Sequence, residues 1–300
     1  MFYNAAMGSG VVYREITVKS ALTRVQGMPF AWSLNPYSGC ERACVYCYAR
    51  EYHARRGRDT GAGFDREIDV KINFPDLLAH ELRRLRKRET VALGTATDPY
   101  QQCEGRYRIT RRTLEALVAS PLPLVVITKG SMVVRDIDLL ARLDVKVCMS
   151  IGTVSAELAR TSEPHASPPR ARLEAVRRLV SAGIDAGVLA APILPGLSDS
   201  EESLDAVASA AASSGATFFS TRPLKLDPSV KPHYLAFLSE HLPALLPATE
   251  ARFAERVNPE RGYTDMLEER ARGVRSRYAF RERPFRKPQP ATPSQLRLAI

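Results

Sequence analysis

The sequence has no long hydrophobic run and few cysteines. None of its apolar stretches reaches the roughly 20 residues that a membrane-spanning helix requires. Residues 1–8 lack the basic region followed by an apolar one that marks a secretory signal. The five cysteines are an odd number with three of them clustered, which argues against a disulfide framework and for a reducing compartment. We therefore expect a cytoplasmic protein without a membrane span.

The composition allows a large folded core, but the charge is unevenly spread. With 45% hydrophobic residues, the 300-residue chain forms one large domain or two smaller ones. The net charge is +10, and residues 270–300 alone hold nine basic residues against one acid, Glu282. An arginine excess favours a polyanionic partner such as nucleic acid, because guanidinium groups pair with phosphate. A solvated or disordered basic tail explains the same run equally well.

Three cysteines, Cys40, Cys44 and Cys47, are crowded into eight residues after a turn-rich run at residues 35–39. Thiols at these spacings can converge on one ligand. Structural zinc sites want four ligands and usually combine a C-x2-C pair with a second pair elsewhere, whereas iron–sulfur clusters are held by thiolates, usually four. Three thiolates would leave one iron open to another ligand. The spacing favours an iron–sulfur site, with a structural zinc or redox loop as the alternative.

The sequence around these cysteines resembles the radical S-adenosylmethionine enzymes. Residues 29–40 read PFAWSLNPYSGC, and Tyr46 and Tyr48 flank the third cysteine, which is similar to spore photoproduct lyase and its "DNA repair photolyase" relatives. The resemblance implies a [4Fe–4S] cluster on Cys40, Cys44 and Cys47, whose open iron chelates S-adenosylmethionine. It further implies that one electron, from a donor such as flavodoxin or ferredoxin, releases a 5′-deoxyadenosyl radical that takes a hydrogen atom from the substrate.

Short apolar strands alternate with amphipathic helices between residues 30 and 224, which predicts an α/β fold with a parallel sheet. Six strands are too few for an eightfold barrel. The resemblance implies an open, partial (β/α)6 barrel, while the pattern alone equally allows a doubly wound sheet. A helix is expected over residues 41–55, directly behind the first cysteine. The strands are expected at residues 30–34, 90–95, 124–127, 145–151, 187–191 and 217–220.

Three regions are expected along the chain. They are an N-terminal arm over residues 1–27, a radical S-adenosylmethionine core over residues 28–225, and a mainly helical, basic extension over residues 226–300. Helices are expected in the extension near residues 231–242 and 248–257. From Arg272 on, proline and arginine dominate, and this composition argues against ordered structure.

Polar residues follow three of the expected strands, at the ends where parallel βα folds gather their chemistry. Thr95 and Asp98 follow the second strand, Lys129 the third and Ser150 the fourth. The resemblance implies that Thr95 and Asp98 bind the methionine amino end of S-adenosylmethionine and that Lys129 meets its carboxylate. Ser150 is placed to hydrogen-bond that carboxylate or the ribose. Turn capping by Asp98 or Ser150 and a solvated Lys129 are the structural alternatives.

The candidates for hydrogen transfer are one cysteine and two tyrosines. In spore photoproduct lyase, a cysteine in a second-strand Cys-Thr-Ser-Asp segment donates a hydrogen atom to the substrate radical. The matching segment here, residues 95–98, reads Thr-Ala-Thr-Asp, so that cysteine is absent. Cys103, eight residues after Thr95, is the candidate replacement, with a plain loop cysteine as the alternative. Tyr46 and Tyr48 are candidates to relay a radical, with packing of the cysteine segment as the alternative.

Together these features predict a radical S-adenosylmethionine enzyme with a lyase-like reaction and nucleic acid as its expected substrate. A radical enzyme that modifies a protein, a peptide or a small molecule is the first alternative. The second alternative is a non-catalytic nucleic-acid-binding protein with a structural metal, which would bind nucleic acid with a strong salt dependence.

Overall fold

The computed structural model describes residues 5–7, 10–85, 87–281 and 283, with side chains from residue 10 onwards. In this part of the chain the strands are β1 (Ala5–Met7), β2 (Val11–Ile16), β3 (Thr23–Arg24), β4 (Trp32–Leu34), β5 (Tyr37–Ser38), β6 (Glu67–Lys71), β7 (Val91–Leu93), β8 (Leu124–Thr128), β9 (Val145–Ser150), β10 (Asp185–Ile193) and β11 (Phe219–Pro223). The helices are α1 (Arg50–Ala54), α2 (Ala62–Arg66), α3 (Phe74–Leu82), α4 (Glu104–Tyr107), α5 (Ile109–Ala119), α6 (Ile137–Leu140), α7 (Ala156–Ser162), α8 (Pro169–Ser181), α9 (Glu201–Ser213), α10 (Lys231–His241), α11 (Leu246–Phe253) and α12 (Arg261–Ser276). Two 3₁₀ segments cover Ser131–Asp136 and Pro243–Leu245.

Six parallel strands form the main sheet. Its order is β11-β10-β9-β8-β7-β4-β3, in which β4 and β7 to β11 run parallel and β3 adds an antiparallel strand beside β4. The apolar strand residues are buried, as in β7, where all three residues are inside, because helices cover the sheet. Within the described residues β3 and β11 are the two edges, so the sheet is open. The predicted α/β class with six parallel strands is confirmed.

The ends of α8 and α9 follow the capping chemistry of the sequence, whereas one predicted helix is largely absent. Ser200 accepts a hydrogen bond from the amide of Ser203 at 3.1 Å where α9 begins, and Gly183, with φ of +79°, follows α8. The helix predicted over residues 41–55 is wrong for most of its length, since only α1 is helical there. Ala43 has φ of +53°, a left-handed conformation that a helix interior does not accept. The residues around the three thiols therefore form a loop.

A second sheet of four strands supports the start of this loop. Its order is β1-β2-β6-β5, with β2 parallel to β6 and β5 antiparallel to β6. The register pairs Tyr37 with Val70 and Ser38 with Asp69, so β5 leads the chain into the cysteines in a fixed direction. Strand β6 is not among the predicted elements, although its apolar residues alternate with polar ones. Strand β2 belongs to the proposed N-terminal arm and β6 to the proposed core, and the boundary between these regions stays a prediction.

The described C-terminal part is helical and lies beside the cysteines. Helices α10 and α11 fall near their expected positions, and their apolar residues form one buried cluster with Cys44 and Tyr46. Helices α10 and α11 therefore cover one side of the loop that bears the cysteines. The described helices include none with the length and apolar character that crossing a membrane requires.

Helix α12 corrects the expectation that order ends at Arg272. It extends to Ser276, packs against α9 and buries Tyr263, Leu267 and Val274. The many arginines of this segment obscure that apolar stripe in the sequence. Just after the helix, Arg277 pairs with two acids of α9, Glu201 and Asp205. The rest of the expected tail, residues 284–300, lies outside the described residues.

Candidate active site

The loop over residues 39–49, called the cysteine loop below, joins β5 to α1. Its three cysteines are free thiols, with Cys40 and Cys44 buried and Cys47 partly exposed. Gly39 opens the loop with φ of +79°, and a Cβ at this position would lie 2.8 Å from the carbonyl oxygen of Glu67. Glycine is required there because any side chain would meet the backbone of β6.

Several hydrogen bonds fasten the cysteine loop to segments far along the chain, and four of them show the directions from which it is held. They join the Cys40 amide to the Phe64 carbonyl at 3.0 Å, the Glu41 amide to the Gln101 side-chain oxygen at 2.9 Å, the Val45 amide to the Ser162 carbonyl at 3.1 Å, and Arg42 Nη1 to the His165 carbonyl at 2.9 Å. The loop is thus held from α2, from the segment after β7, and from the turn between α7 and α8.

The donor set of the loop suits an iron–sulfur cluster. Burial raises the pKa of all three thiols, that of Cys40 to about 12. The charge of Lys129 offsets part of this rise at Cys44, and the charge of Arg50 offsets part of it at Cys47. Among the described residues no three His, Cys, Asp or Glu side chains stand in metal-site geometry. Three free thiols in one loop, beside two cations that favour thiolates, fit such a group chemically.

Asp98 is buried and its two oxygens are fully used. It is 7% exposed; Oδ1 accepts from the Thr128 hydroxyl at 2.6 Å and the Tyr100 amide at 2.8 Å, and Oδ2 accepts from the Lys129 amide at 2.9 Å and Arg42 Nε at 3.2 Å. Burial alone would raise the pKa of Asp98, but Arg42 and these hydrogen bonds bring it below its ordinary value. Asp98 therefore ties the cysteine loop to the end of β8.

The side chains of Lys129 and Ser150, predicted from separate strand ends, meet in the structure. Lys129 Nζ donates to Ser150 Oγ at 2.6 Å, lies 3.1 Å from Glu163 Oε1, and sits 5.5 Å from the ring centre of Tyr46. Ser150 Oγ in turn donates to the carbonyl of Ala191 at 2.9 Å. The ends of β8, β9 and β10 thus converge next to the cysteine loop.

Two residues that no motif marks complete this group. Glu163 follows α7 and is 5% exposed, and Arg172 lies on the buried face of α8. Arg172 Nη2 donates to Glu163 Oε2, and the phenol of Tyr46 donates to Glu163 Oε1. Burial alone would raise the pKa of Glu163, but Lys129 and Arg172 lower it to about 2. The sequence signal for Arg172 is its spacing, which places a cation on the same stripe as Ala175, Val176 and Leu179.

Thr95 and Tyr48 lie together at the partly open side of the loop. The Thr95 hydroxyl is hydrogen-bonded to Ser33 and accepts from Asn35 Nδ2 at 3.2 Å. The carbonyl of Thr95 accepts a hydrogen bond from the Tyr48 phenol, and the Tyr48 side chain remains 47% exposed. Of the three hydrogen-transfer candidates, Tyr48 is the exposed one.

Cys103 lies inside the main core, not on an open face. It is 3% exposed, and its amide donates to Glu41 Oε1 at 2.9 Å, while the other oxygen of Glu41 accepts from the Tyr13 phenol at 2.9 Å. Burial and the neighbouring charge of Glu41 raise the pKa of the Cys103 thiol. Its surroundings are those of a buried, neutral thiol.

A narrow cleft opens beside Glu163. Its volume is only about 10 Å³, and its walls include Tyr46, Gly152 and Pro192. A Cβ at Gly152 would lie 2.9 Å from the carbonyl oxygen of Pro192, so glycine allows the two walls to approach. A larger cavity of about 430 Å³ is lined by residues that precede β4 and β7, at the amino ends of these strands. Of these two, the cleft beside Glu163 is therefore the one at the carboxyl ends of the strands, where Lys129 and Ser150 lie.

Comparison with known proteins gives one family and one fold. The family model described as "Radical SAM superfamily" matches residues 34–207. An uncharacterized protein of Mycobacterium tuberculosis is 37% identical over 277 residues, which is 90% of this chain and 82% of that protein. Spore photoproduct lyase complexed with dinucleoside spore photoproduct has a similar fold, with a TM-score of 0.70 and 15% identity over 89% of this chain and 79% of its own. A mutant of that enzyme with bound AdoMet and dinucleoside spore photoproduct gives a TM-score of 0.67 and 16% identity over 86% and 76%.

Proposed function

Because the chain belongs to the radical S-adenosylmethionine superfamily, we propose that it uses S-adenosylmethionine to remove a hydrogen atom from a substrate. Family membership indicates an enzyme, so the non-catalytic alternative is set aside. When bound, the [4Fe–4S] cluster that the family implies supplies the electron that breaks the sulfonium C–S bond and yields a 5′-deoxyadenosyl radical. The observation that carries the proposal is the contact between the cysteine loop, through Tyr46, and the group formed by Lys129, Ser150 and Glu163.

Cys40, Cys44 and Cys47 are the proposed ligands of the cluster. They share one loop that is anchored from three directions, and two cations stand near their thiols. Three protein thiolates would leave one iron of a four-iron cluster without a protein ligand, free to bind the amino and carboxylate groups of S-adenosylmethionine.

Four residues are proposed to prepare the binding site for S-adenosylmethionine. Lys129 and Ser150 hold its carboxylate, since their polar groups already meet at the strand ends. Thr95 is proposed at the amino end, where it is partly exposed beside Tyr48. Asp98 is proposed to act indirectly, by fixing the amide of Lys129 and the side chain of Arg42, because four donors already occupy its oxygens.

Tyr48 is the residue that we propose to relay a radical next to the substrate. Its ring is half exposed and its phenol lies against the strand end that carries Thr95. Tyr46 and Cys103 are buried, with the phenol held by Glu163 and the thiol beside Glu41. Their proposed participation requires transfer through the protein and not contact with the substrate.

Nucleic acid is the proposed substrate class, and a protein, peptide or small molecule is the alternative. The support from spore photoproduct lyase, complexed with a dinucleoside, is a likeness of fold alone. On this chain, Tyr52 is exposed on α1, just after the cysteine loop, and Arg222 and Lys225 are exposed at the carboxyl end of β11. Exposed aromatic and cationic side chains suit stacked bases and phosphates. A lyase-like reaction, a cytoplasmic location and a flavodoxin or ferredoxin as electron donor complete the proposal.

The test is electron paramagnetic resonance on anaerobically reconstituted, reduced protein, with and without S-adenosylmethionine. We expect a cluster signal that shifts when S-adenosylmethionine is added, together with 5′-deoxyadenosine in the same sample. The variant in which Cys40, Cys44 and Cys47 are all alanine serves as the control and should give neither. A well-reconstituted wild-type protein whose cluster ignores S-adenosylmethionine would overturn the proposal.

A further inference from the structure

The ammonium group of Lys129 is part of a closed ring of polar contacts with Glu163, Arg172 and Ser150. Lys129 Nζ lies 3.1 Å from Glu163 Oε1 and donates to Ser150 Oγ at 2.6 Å. Arg172 donates to both of these neighbours, through Nη2 to the other oxygen of Glu163 and through Nη1 to the carbonyl of Ser150 at 2.8 Å. Lys129 is therefore held from two sides by residues that Arg172 connects.

The ring carries one unbalanced positive charge. Lys129 and Arg172 contribute two cations, and within the described part of the chain Glu163 is the carboxylate that pairs with both. An ammonium group has three N–H donors, of which Glu163 and Ser150 take two. A buried site with a surplus cation and a remaining donor suits one carboxylate of a ligand.

We propose that Glu163 is a positioning residue that holds Lys129 for the carboxylate of S-adenosylmethionine and, through Tyr46, fastens this lysine to the cysteine loop. The inference rests on the proposed function and adds a residue to it. Glu163 acts through Lys129 and does not itself meet the ligand. Tyr46 lies between Cys44 and Cys47 in the sequence. The carboxylate of Glu163 therefore connects the cysteine loop with the proposed site for the S-adenosylmethionine carboxylate.

Glu163 is suited to this task because it stays ionised. The two neighbouring cations outweigh the effect of burial and lower its pKa to about 2. Its contacts also reach beyond Lys129, since the preceding carbonyl, that of Ser162, accepts from the amide of Val45 at 3.1 Å. The turn after α7 thus approaches the cysteine loop with both backbone and side chain.

The test measures binding of S-adenosylmethionine to the reconstituted protein by anaerobic equilibrium dialysis. Glu163→Gln keeps the shape of the side chain and removes its charge. We expect unchanged iron and sulfide content per chain and a dissociation constant raised about 10- to 100-fold. Lys129→Met should also weaken binding, and the double variant should bind no more weakly than Lys129→Met alone, because Glu163 acts through that lysine. Glu163→Asp, which keeps the charge, should recover part of the affinity.

Glu104→Gln is the matched control. Glu104 is also a fully buried carboxylate bound by a tyrosine, Tyr37, and an arginine, Arg135, but it lies in the main core. Its substitution should lower the free energy of unfolding and leave the dissociation constant unchanged.

Each outcome decides a separate point. Equal affinity of wild type and Glu163→Gln, or additive losses in the double variant, overturns the positioning role while the proposed function stands. A wild-type protein that does not bind S-adenosylmethionine overturns the proposed function and the inference with it. If Glu163→Gln does not fold, Glu163→Asp decides, because it must bind more weakly than wild type and more tightly than Lys129→Met.

Discussion

Single buried charges hold the candidate site together. Arg42 and Asp98, both nearly inaccessible, form an ion pair that joins the cysteine loop to the end of β8. A buried pair contributes little net stability, because desolvation offsets the attraction, but removal of one partner leaves an uncompensated charge in the interior. Neutralising Asp98 should therefore destabilise both the cysteine loop and the end of β8.

The first prediction concerns the metal-free protein. Asp98→Asn should lower the free energy of unfolding near pH 7 by about 3 kcal/mol, because Arg42 loses its buried counter-charge. The folded-state pKa of Asp98 lies below the ordinary value of 3.8, so its ionised form stabilises the fold above that pH and this contribution is lost as the pH falls further. The gap between wild type and variant, from urea unfolding, should narrow below about pH 4.

Asp76→Asn is the control for this prediction. Asp76 pairs with Arg112 at the surface, where solvent screens the interaction, so its loss should have a much smaller effect. Equal effects of the two substitutions, or a gap that widens in acid, would contradict the structural role of the Asp98 pair.

Among single residues, the sequence predicts Lys129 and Ser150 at strand ends and misses Glu163, which follows a helix. Lys129 and Ser150 end their strands, and the parallel sheet brings strand ends to one edge whatever the intervening chain does. Glu163 reaches the same place only because α7 and the turn after it fold back onto the cysteine loop. A path of this kind leaves no periodic signal in the sequence.

Among the elements, the close approach of the cysteine loop to β6 sets where the thiols lie. Gly39 has a left-handed backbone and no room for a Cβ beside the carbonyl of Glu67. Gly57 is also left-handed, with φ of +63°, but an added Cβ would meet no heavy atom within 4 Å. Substitution of Gly57 would therefore incur only the cost of the left-handed backbone, whereas substitution of Gly39 would add a steric collision.

The second prediction uses this contrast. Gly39→Ala should push the cysteine loop away from β6 and abolish most of the iron bound after reconstitution. Gly57→Ala should cost only the conformational penalty of about 1 to 2 kcal/mol and keep the iron content of wild type. Iron and sulfide assays, with circular dichroism to verify folding, compare the two; iron retained by Gly39→Ala would show that the collision is relieved without moving the thiols.

The main sheet is predictable because its strands are apolar and regularly spaced, whereas β6 and α12 depend on partners. The side chains of Ile68 and Val70 are buried in the main core, and β6 is held in place by β2 and β5, which pair with its backbone on either side. The buried residues of α12 are few among many arginines, and their burial follows from docking on α9. Both elements gain their structure from contacts between segments that are distant in sequence.

For the whole molecule, the basic C-terminal segment divides into residues that the structure describes and residues 284–300, which lie outside the description. Val274 lies in the main core and Arg277 binds two acids of α9, so these residues serve the fold. Residues 284–300 carry Arg286, Lys287 and Arg297 and no acid. These three cations lie outside the described residues, and a shortened chain can remove them without touching α12.

The third prediction compares two shortened chains. A chain ending at Arg283 should fold as wild type and bind single-stranded nucleic acid more weakly, with a salt-dependence slope smaller by about 2 because three cations are lost. A chain ending at Glu260 should be strongly destabilised, because it lacks the buried residues of α12. Thermal unfolding and salt titrations of binding distinguish them; an unchanged slope for the chain ending at Arg283 would assign nucleic-acid contact to other surfaces.

The anchors of the cysteine loop also determine when, during synthesis, the three thiols can take their places in the fold. Arg42 and the carbonyl of His165 that it binds are 123 residues apart. A ribosome makes the chain from its amino end, so all three cysteines emerge long before the segment that holds their loop in place. The nascent chain therefore exposes three unsupported thiols for the time needed to translate α1 to α7, and the loop completes its fold only afterwards. If the loop holds the proposed cluster, iron and sulfide should be delivered only after His165 has emerged from the ribosome.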